Sequence, residues 1–430
     1  MPKLFEQAMR KATRLTSMGL LMDATRMIQN ALFDATLGAG MGSAPEPATQ
    51  PTAKTTIKGV AKAAVKAFRP AANDAVQDIQ ARYETLFEAP SRGASNAPFG
   101  APADAPAKRP AFRPDAASPQ TGGPSGSPAS FTEGSFAYGG DAYPYRLYVP
   151  PLPPQPSPPS SAGHSAQRLP LVVLLHGCTQ NALDFSKGTA MNKLAGQQGV
   201  MVLYPEQITK ANSGRCWNWF EPGHQKRGQG EPGMIAALTQ QVLAAEHNGH
   251  RADPDRVYVA GLSAGGAMAA VVAGLYPDLF AALGVHSGLP AGAAKDMVSA
   301  FSAMRRGSKS QSAKPPKAAA ALPTIVFHGS ADTTVHPDNG EGIAGSAQAA
   351  YQAQGLSLVK TQAPATAAGE RASERTTYRA ANDASYVEYW TIDSGPHAWS
   401  GGSKSGTYTD PDGPSASKAM LAFFLQHRKT

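Results

Sequence analysis

Cysteine is nearly absent from this chain, which has only Cys178 and Cys216 among its 430 residues. Two cysteines exclude a disulfide-rich scaffold and leave room for one local bridge or for two reduced thiols. No H-E-x-x-H pattern, paired Cys/His spacing, Walker A motif or dinucleotide glycine fingerprint is present. We therefore predict neither a metal site nor a bound cofactor.

The N-terminus also lacks a continuous apolar run. Charged residues such as Lys3, Glu6, Arg10 and Lys11 interrupt it from the start. This pattern predicts neither a Sec-type signal peptide nor a transmembrane segment, and we expect a cytoplasmic location.

What the N-terminal part does contain is basic charge. The chain carries a net charge of +8, and residues 1–130 hold 15 Lys and Arg against 10 Asp and Glu. Apolar spacing predicts a helical, basic extension over 1–88, with lysines at 54, 58, 62 and 66 along one helix face. The helix is docked on the rest of the protein, its basic face is simply solvated, or the face binds an anionic or apolar surface such as a polymer granule. We predict no nucleic-acid partner.

Residues 89–130 are rich in Ala, Pro, Ser and Gly and predict a disordered linker. After it, aromatic alternation over 131–150 predicts an antiparallel hairpin at a sheet edge, followed by a Pro/Ser-rich surface loop over 150–167. The basic stretch 291–321 is interpreted as an inserted loop or partial lid.

Short apolar runs alternate with helical segments from residue 169 onward. Strands are predicted at 170–175, 200–204, 256–260, 281–286, 323–328 and 386–392, and helices near 181–198, 231–248, 264–276, 340–354 and 414–427. This rhythm predicts an α/β domain over 131–430 with a mostly parallel central sheet flanked by helices.

The strongest local signal is G-L-S-A-G at 261–265, between a predicted strand and a predicted helix. A G-x-S-x-G motif in that context forms a sharp turn that presents its serine as a nucleophile, and so indicates the α/β-hydrolase fold. We predict Ser263 as the nucleophile.

A serine nucleophile needs a base, and in this fold the acid and then the histidine follow it along the chain. His397 follows the last predicted strand in a glycine-bordered loop and is the predicted base. Asp332 is the predicted acid, with Asp338 and Asp393 as competitors.

The oxyanion needs two N–H donors, which we predict to be the backbone of Ala264 and Cys178. The aromatic cluster over 215–220 is either a wall that binds an apolar acyl group or a satellite core. On the first interpretation Trp217 and Trp219, together with Trp399, contact the substrate.

Five ordered motifs resemble those of the polyhydroxybutyrate depolymerase family of esterases, which is related to feruloyl and acetylxylan esterases. They are H-G-C-T-Q at 176–180, R-C-W-N-W at 215–219, G-L-S-A-G-G at 261–266, H-G-S-A-D-T-T-V at 328–335 and G-P-H-A-W at 395–399. The resemblance covers about 131–430 and implies the same triad and oxyanion donors. It also implies that Cys178 and Cys216 lie close together and form a disulfide.

The resemblance implies a serine esterase acting on poly(3-hydroxybutyrate) or short 3-hydroxyalkanoate esters. Feruloyl or acetylxylan ester hydrolysis is the alternative, and a non-catalytic granule-binding protein on the same fold is an alternative of another class. Without a signal peptide or a C-terminal polymer-binding module, we expect an intracellular short-chain or amorphous substrate, although relatives imply an extracellular alternative.

Overall fold

The computed structural model describes residues 128–151, 167–307 and 321–429. The predicted helical extension over 1–88, most of the predicted linker and the Pro/Ser-rich loop lie outside the described residues. Within the described ranges no helix combines the length and apolar character needed to cross a membrane.

The described chain alternates strands and helices. The strands are β1 Ser130–Tyr138, β2 Asp141–Val149, β3 Gln167–Leu175, β4 Met201–Pro205, β5 Glu246–His247, β6 His250–Leu262, β7 Ala282–His286, β8 Thr324–Gly329, β9 Val359–Pro364, β10 Ser373–Arg379, β11 Ser385–Ile392, β12 Trp399–Ser400 and β13 Thr409–Asp410. The helices are α1 Ala182–Thr189, α2 Met191–Gln198, α3 Gly230–Ala244, α4 Ala264–Leu275, α5 Met297–Arg306, α6 Asp338–Ala353 and α7 Ala416–Phe424.

The central sheet has the order β1-β2-β4-β3-β6-β7-β8-β11-β10-β9. The six strands from β4 to β11 in this order run parallel, and antiparallel pairs flank them on both sides. Because parallel strands need crossover connections, helices lie between most of them in the chain. The predicted α/β-hydrolase fold with a mostly parallel sheet is confirmed.

Two apolar cores cover the two faces of this sheet. Along β3, Leu171, Val173 and Leu175 belong to one core, whereas Val172 and Leu174 belong to the other. All five are fully buried. Successive side chains of a strand point to opposite faces, so a strand buried on both sides is apolar at every position. This explains the continuous apolar run in the sequence.

The predicted N-terminal hairpin is confirmed, since β1 and β2 pair antiparallel at the sheet edge. Gly139 and Gly140 connect them with φ of 60° and 88°. A two-residue turn with two positive φ values follows the strand twist and favours glycine.

The short strands β5, β12 and β13 were not predicted, and three larger parts of the secondary structure also differ from the prediction. The single helix near 181–198 is two helices, α1 and α2, divided at Ala190 with φ 51°. The hairpin of β9 and β10 was missed because both strands are polar, and β9 is exposed throughout. Helix α5 lies within the segment interpreted as a loop or lid, and reciprocal hydrogen bonds between Asp296 and Ser299 cap it. That D-x-x-S spacing was a usable start signal.

Candidate active site

The turn at Ser263 connects the end of β6 to the start of α4. The backbone of Ser263 has φ 57° and ψ −121°, a conformation that residues other than glycine rarely adopt. A Cβ added to Gly261 would lie 2.4 Å from the carbonyl of Gly265, and one added to Gly265 would lie 2.3 Å from the Leu175 carbonyl oxygen. The glycines of the motif therefore let the strand, the turn and the helix pass within contact distance.

Ser263 is held from both sides by its backbone. Its N–H donates to the carbonyl oxygen of His286 at 2.9 Å, and its own carbonyl accepts the N–H of Ala267 at 2.9 Å. Ala264 is the first residue of α4, where backbone N–H groups have no partner within the helix. The helix N-terminus also carries partial positive charge, which suits a developing oxyanion.

Asp332 and His397 are brought together by neighbouring parallel strands. Asp332 follows β8 and His397 follows β11, and these strands pair in parallel, so their loops leave the same sheet edge. His397 Nδ1 lies 2.7 Å from Asp332 Oδ2. With an ionised aspartate, Nδ1–H is the donor, and this tautomer puts the imidazole lone pair on Nε2.

The carboxylate of Asp332 is buried and held at both oxygens. Its Oδ1 accepts the N–H groups of Thr334 at 2.9 Å and Val335 at 2.8 Å. Burial by itself raises the pKa of Asp332, but the interaction with His397 and hydrogen bonds from His328 and His397 outweigh it. Together they hold the pKa well below its ordinary value. Asp332 is therefore ionised at neutral pH.

His328 is a second histidine on the same carboxylate, and the sequence alone assigned it no role. Its Nε2 lies 2.8 Å from the carbonyl oxygen of Val335 and 3.4 Å from Asp332 Oδ2. Its Nδ1 is buried and has no hydrogen-bond partner in the described part of the chain. Nε2–H is thus the donor that His328 directs between these two oxygens.

The two competing acids occupy other positions. Asp338 lies at the first turn of α6 beside His336, 3.7 Å away. Asp393 accepts the hydroxyl of Ser330 at 3.4 Å. The hydrogen bond to His397 therefore favours Asp332 among the three.

The predicted oxyanion loop is fixed by bonds on each side of Cys178. The N–H of Gly177 donates to Gln180 Oε1 at 2.9 Å, and that of Thr179 donates to the Gly214 carbonyl at 2.7 Å. Cys178 and Cys216 form a disulfide in the structure, as the resemblance implied. The bond ties the oxyanion loop to the segment that carries the aromatic cluster.

Glu231 organises that segment, and sequence reasoning did not identify it. Its buried carboxylate accepts hydrogen bonds from Gln207 Nε2 at 2.6 Å, from the Asn218 backbone at 2.7 Å and from Asn218 Nδ2 at 2.6 Å. Gln207 also bonds to the carbonyl of Cys216 at 3.1 Å. The only sequence signal was an isolated acid in the first turn of a helix.

The three tryptophans predicted to contact the substrate lie in the core instead. Trp217, Trp219 and Trp399 are 0 %, 2 % and 1 % exposed. Trp217 Nε1 donates to the carbonyl of His176 at 3.1 Å, and Trp399 Nε1 to the hydroxyl of Ser417 at 3.0 Å. The interpretation as a binding wall is corrected: aromatic composition does not distinguish an exposed wall from a core, and here the core interpretation holds.

A separate cavity of about 560 Å³ adjoins the Glu231 segment. Its lining includes Tyr138, Tyr143, Glu221, His224 and Glu231. The hydroxyls of Tyr138 and Tyr143 can donate and accept hydrogen bonds, and the exposed Glu221 adds a carboxylate acceptor, whereas the Glu231 oxygens already accept bonds from Gln207 and Asn218. Such a lining suits a ligand that carries hydroxyl groups, which both donate and accept.

Comparison with known proteins identifies the family. Residues 147–376 match the family model described as esterase PHB depolymerase. Poly(3-hydroxyalkanoate) depolymerase C from Paucimonas lemoignei is 41% identical over 183 residues, 40% of this chain and 42% of that protein. Poly(3-hydroxybutyrate) depolymerase from Ralstonia pickettii is 34% identical over 128 residues, 28% of this chain and 26% of that protein.

A carbohydrate esterase is similar over a comparable length. The probable acetylxylan esterase A of Aspergillus fumigatus is 31% identical over 184 residues, 39% of this chain and 48% of that protein. The chain thus matches less than half the length of each of these three relatives.

Proposed function

The chain belongs to the esterase PHB depolymerase family, and we propose that it hydrolyses carboxylic esters through Ser263, His397 and Asp332. The proposed substrate is poly(3-hydroxybutyrate) or a short 3-hydroxyalkanoate ester. The observation that carries the proposal is the 2.7 Å contact of His397 Nδ1 with the buried Asp332 carboxylate, at the sheet edge where β6 ends in the strained Ser263 turn.

In the first half-reaction the ester acylates the serine. Ser263 Oγ attacks the carbonyl carbon while His397 Nε2 takes its proton, and Asp332 stabilises the imidazolium that forms. The tetrahedral oxyanion accepts hydrogen bonds from the backbone N–H groups of Ala264 and Cys178. The intermediate then expels the alcohol, which takes the proton from His397 and leaves an acyl-enzyme.

In the second half-reaction water releases the acid. His397 takes a proton from water as its oxygen attacks the acyl carbon, and a second tetrahedral oxyanion forms at the same two donors. Collapse of this intermediate returns the proton to Ser263 Oγ and frees the carboxylic acid.

Hydrolysis of acetyl or feruloyl esters on carbohydrate is a second candidate, because the lining of the 560 Å³ cavity includes two tyrosine hydroxyls and the Glu221 carboxylate. Sugar hydroxyls both donate and accept hydrogen bonds and can pair with all of these groups, whereas the repeating esters of a polyester only accept and cannot pair with a carboxylate. Tyr143 lies near the carboxyl end of β4, since its neighbour Tyr145 pairs with Pro205. The cavity thus lies toward the edge that carries Ser263.

One assay set separates these functions. Wild type and Ser263→Ala are compared on p-nitrophenyl butyrate, amorphous poly(3-hydroxybutyrate), methyl ferulate and acetylated xylan. We expect hydrolysis of the butyrate and the polyester by wild type only. Preference for acetylated xylan supports the second candidate, and hydrolysis that survives in Ser263→Ala removes the serine mechanism. A wild type inactive on all four, yet bound to polymer, supports the non-catalytic alternative.

The granule-binding role of the basic extension rests on residues outside the structure described. We propose that the lysines at 54, 58, 62 and 66 contribute to an anionic or granule surface site. Co-sedimentation of the full chain with amorphous polyester, compared with a variant in which all four are Gln, tests this. Equal binding at low salt would remove these lysines from the proposal.

The proposed location depends on the disulfide. Disulfides persist in oxidising compartments and are rare in cytosol, so the Cys178–Cys216 bond supports the extracellular alternative over the cytoplasm. Blocking free thiols with a mass-tagged maleimide in intact producing cells tests the location. Two tags on the folded protein would mean reduced cysteines and would favour the cytoplasm.

A further inference from the structure

His286 connects the nucleophile turn to the base loop, and neither the motifs nor the proposed triad includes it. It is the last residue of β7, the strand beside β6, and it pairs in register with Leu262. Its carbonyl oxygen accepts the Ser263 N–H at 2.9 Å. The main chain of His286 therefore fixes the position of the Ser263 turn relative to the end of β7.

The ring of the same residue holds the loop that carries the base. His286 Nε2 lies 3.0 Å from the backbone nitrogen of Ser400, three residues beyond His397. A backbone N–H can only donate, so Nε2 is an acceptor and the ring proton lies on Nδ1, 3.2 Å from Ser287 Oγ. One residue thus bonds both to the nucleophile and to the base loop.

Packing leaves this ring one orientation. His286 is fully buried, and its ring stacks on Trp399 at a centroid distance of 5.3 Å and on Phe327 at 5.8 Å. Burial, together with the nearby charges of His328 and His397, lowers its pKa to about 3. The ring therefore stays neutral and keeps its acceptor when His397 becomes protonated during the reaction.

We propose that His286 is a positioning residue that fixes the separation between Ser263 and His397. The inference rests on the proposed function, because it assumes that these two residues react together. A displacement of about 1 Å between reacting groups can cost roughly 10²-fold in rate. An interaction that fixes this separation raises kcat without contributing to substrate binding.

Two substitutions at this position separate positioning from packing. His286→Phe keeps the ring stack and removes the acceptor, whereas His286→Gln returns an oxygen close to the place of Nε2. We expect kcat of His286→Phe on p-nitrophenyl butyrate to fall by roughly 10- to 10²-fold with KM little changed. His286→Gln is expected to recover most of kcat.

The matched control is His427→Phe, at a buried histidine whose ring lies 4.6 Å from that of Phe423 in a tilted arrangement. Its carbonyl accepts the hydroxyl of Tyr258, whose strand partner is Ala282 at the amino end of β7, away from Ser263. We expect a lower Tm with unchanged kcat. If His286→Phe behaves in the same way, or if Gln fails to rescue it, the positioning role is overturned.

Two further variants keep the test decisive. If His286→Phe does not fold, Ser287→Ala is used instead, because it removes the hydroxyl that faces His286 Nδ1–H. We expect the kcat of this variant to fall about 2- to 10-fold at constant KM. A kcat equal to that of wild type would overturn the inference. Ser263→Ala distinguishes the two levels of argument. Activity retained in Ser263→Ala refutes the proposed function, whereas activity lost there but intact in His286→Phe refutes only the role of His286.

Discussion

Replacing Asp332 by Asn is the perturbation whose outcome the structure defines most closely. Oδ1 accepts two backbone N–H groups, from Thr334 and Val335, at 2.9 and 2.8 Å. If the amide placed its NH₂ group there, the N–H groups of Thr334 and Val335 would face another donor and would lose their acceptor. The carbonyl oxygen of the amide must therefore take this position. The NH₂ group then faces His397 Nδ1.

That orientation reverses the tautomer of the proposed base. An NH₂ group donates, so His397 Nδ1 must accept and the ring proton moves to Nε2, the atom that takes the proton from Ser263 in the proposed mechanism. A wrong tautomer of this kind lowers kcat by about 10⁴-fold in a serine triad. At 1.36 kcal/mol per tenfold, this is about 5.4 kcal/mol of transition-state stabilisation.

Steady-state hydrolysis of p-nitrophenyl butyrate measures this loss. Asp338→Asn and Asp393→Asn are the matched controls, because both were competing acids in the sequence and make the same chemical change. We expect both controls to keep near wild-type kcat. A kcat for Asp332→Asn above about 1 % of wild type would refute the tautomer argument, and an equal loss in either control would reassign the acid.

Three further predictions concern stability. Gly265→Ala should abolish folding or activity, because its Cβ would lie 2.3 Å from a carbonyl oxygen. Gly274→Ala in the same helix places its Cβ in open space and should raise Tm, and thermal denaturation compares the two variants. Glu231→Gln should lower the free energy of unfolding in urea by about 1.5–3 kcal/mol, since a charged acceptor is lost. Glu221→Gln, at an exposed position, should leave it unchanged. Equal urea midpoints for the two variants would contradict this prediction. Burial lowers the pKa of His427 from 6.5 to about 4, so the unfolded chain binds the extra proton and stability should fall as pH drops from 6.5 toward 4. His427→Gln should flatten that part of the stability–pH curve, and an unchanged slope would exclude His427 as its source.

Much of the fold was readable because the signals are local. The apolar runs of β3 and β6 predict strands buried on both faces, and the G-L-S-A-G motif predicts the turn at Ser263. The polar hairpin of β9 and β10 was missed, because its strands lie at an exposed edge and bury no continuous apolar face. The pattern of apolar and polar residues indicates a strand only where the strand buries a face, so it does not reveal an exposed strand.

The aromatic cluster shows where local composition misleads. The sequence around Trp217 allowed either a binding wall or a core, because both need large apolar side chains. Trp217 and Trp219 are buried by the way in which the 206–221 segment folds. Hydrogen bonds from Gln207 and Asn218 to Glu231 of α3 hold that segment in place. Those partners are not adjacent in the chain, so no local pattern reveals them.

By itself the sequence determined most of the strands and helices of the parallel sheet, the serine at the strained turn, and the chain order in which an acid and a histidine had to follow. These features depend on neighbouring residues, whose chemistry is visible in a short window. Only the tertiary structure decided that Asp332, rather than Asp338 or Asp393, touches His397, and that His286 bonds both to Ser263 and to Ser400. These contacts arise because parallel strands bring chain segments more than twenty residues apart to one sheet edge, and that distance is set by packing and not by sequence spacing.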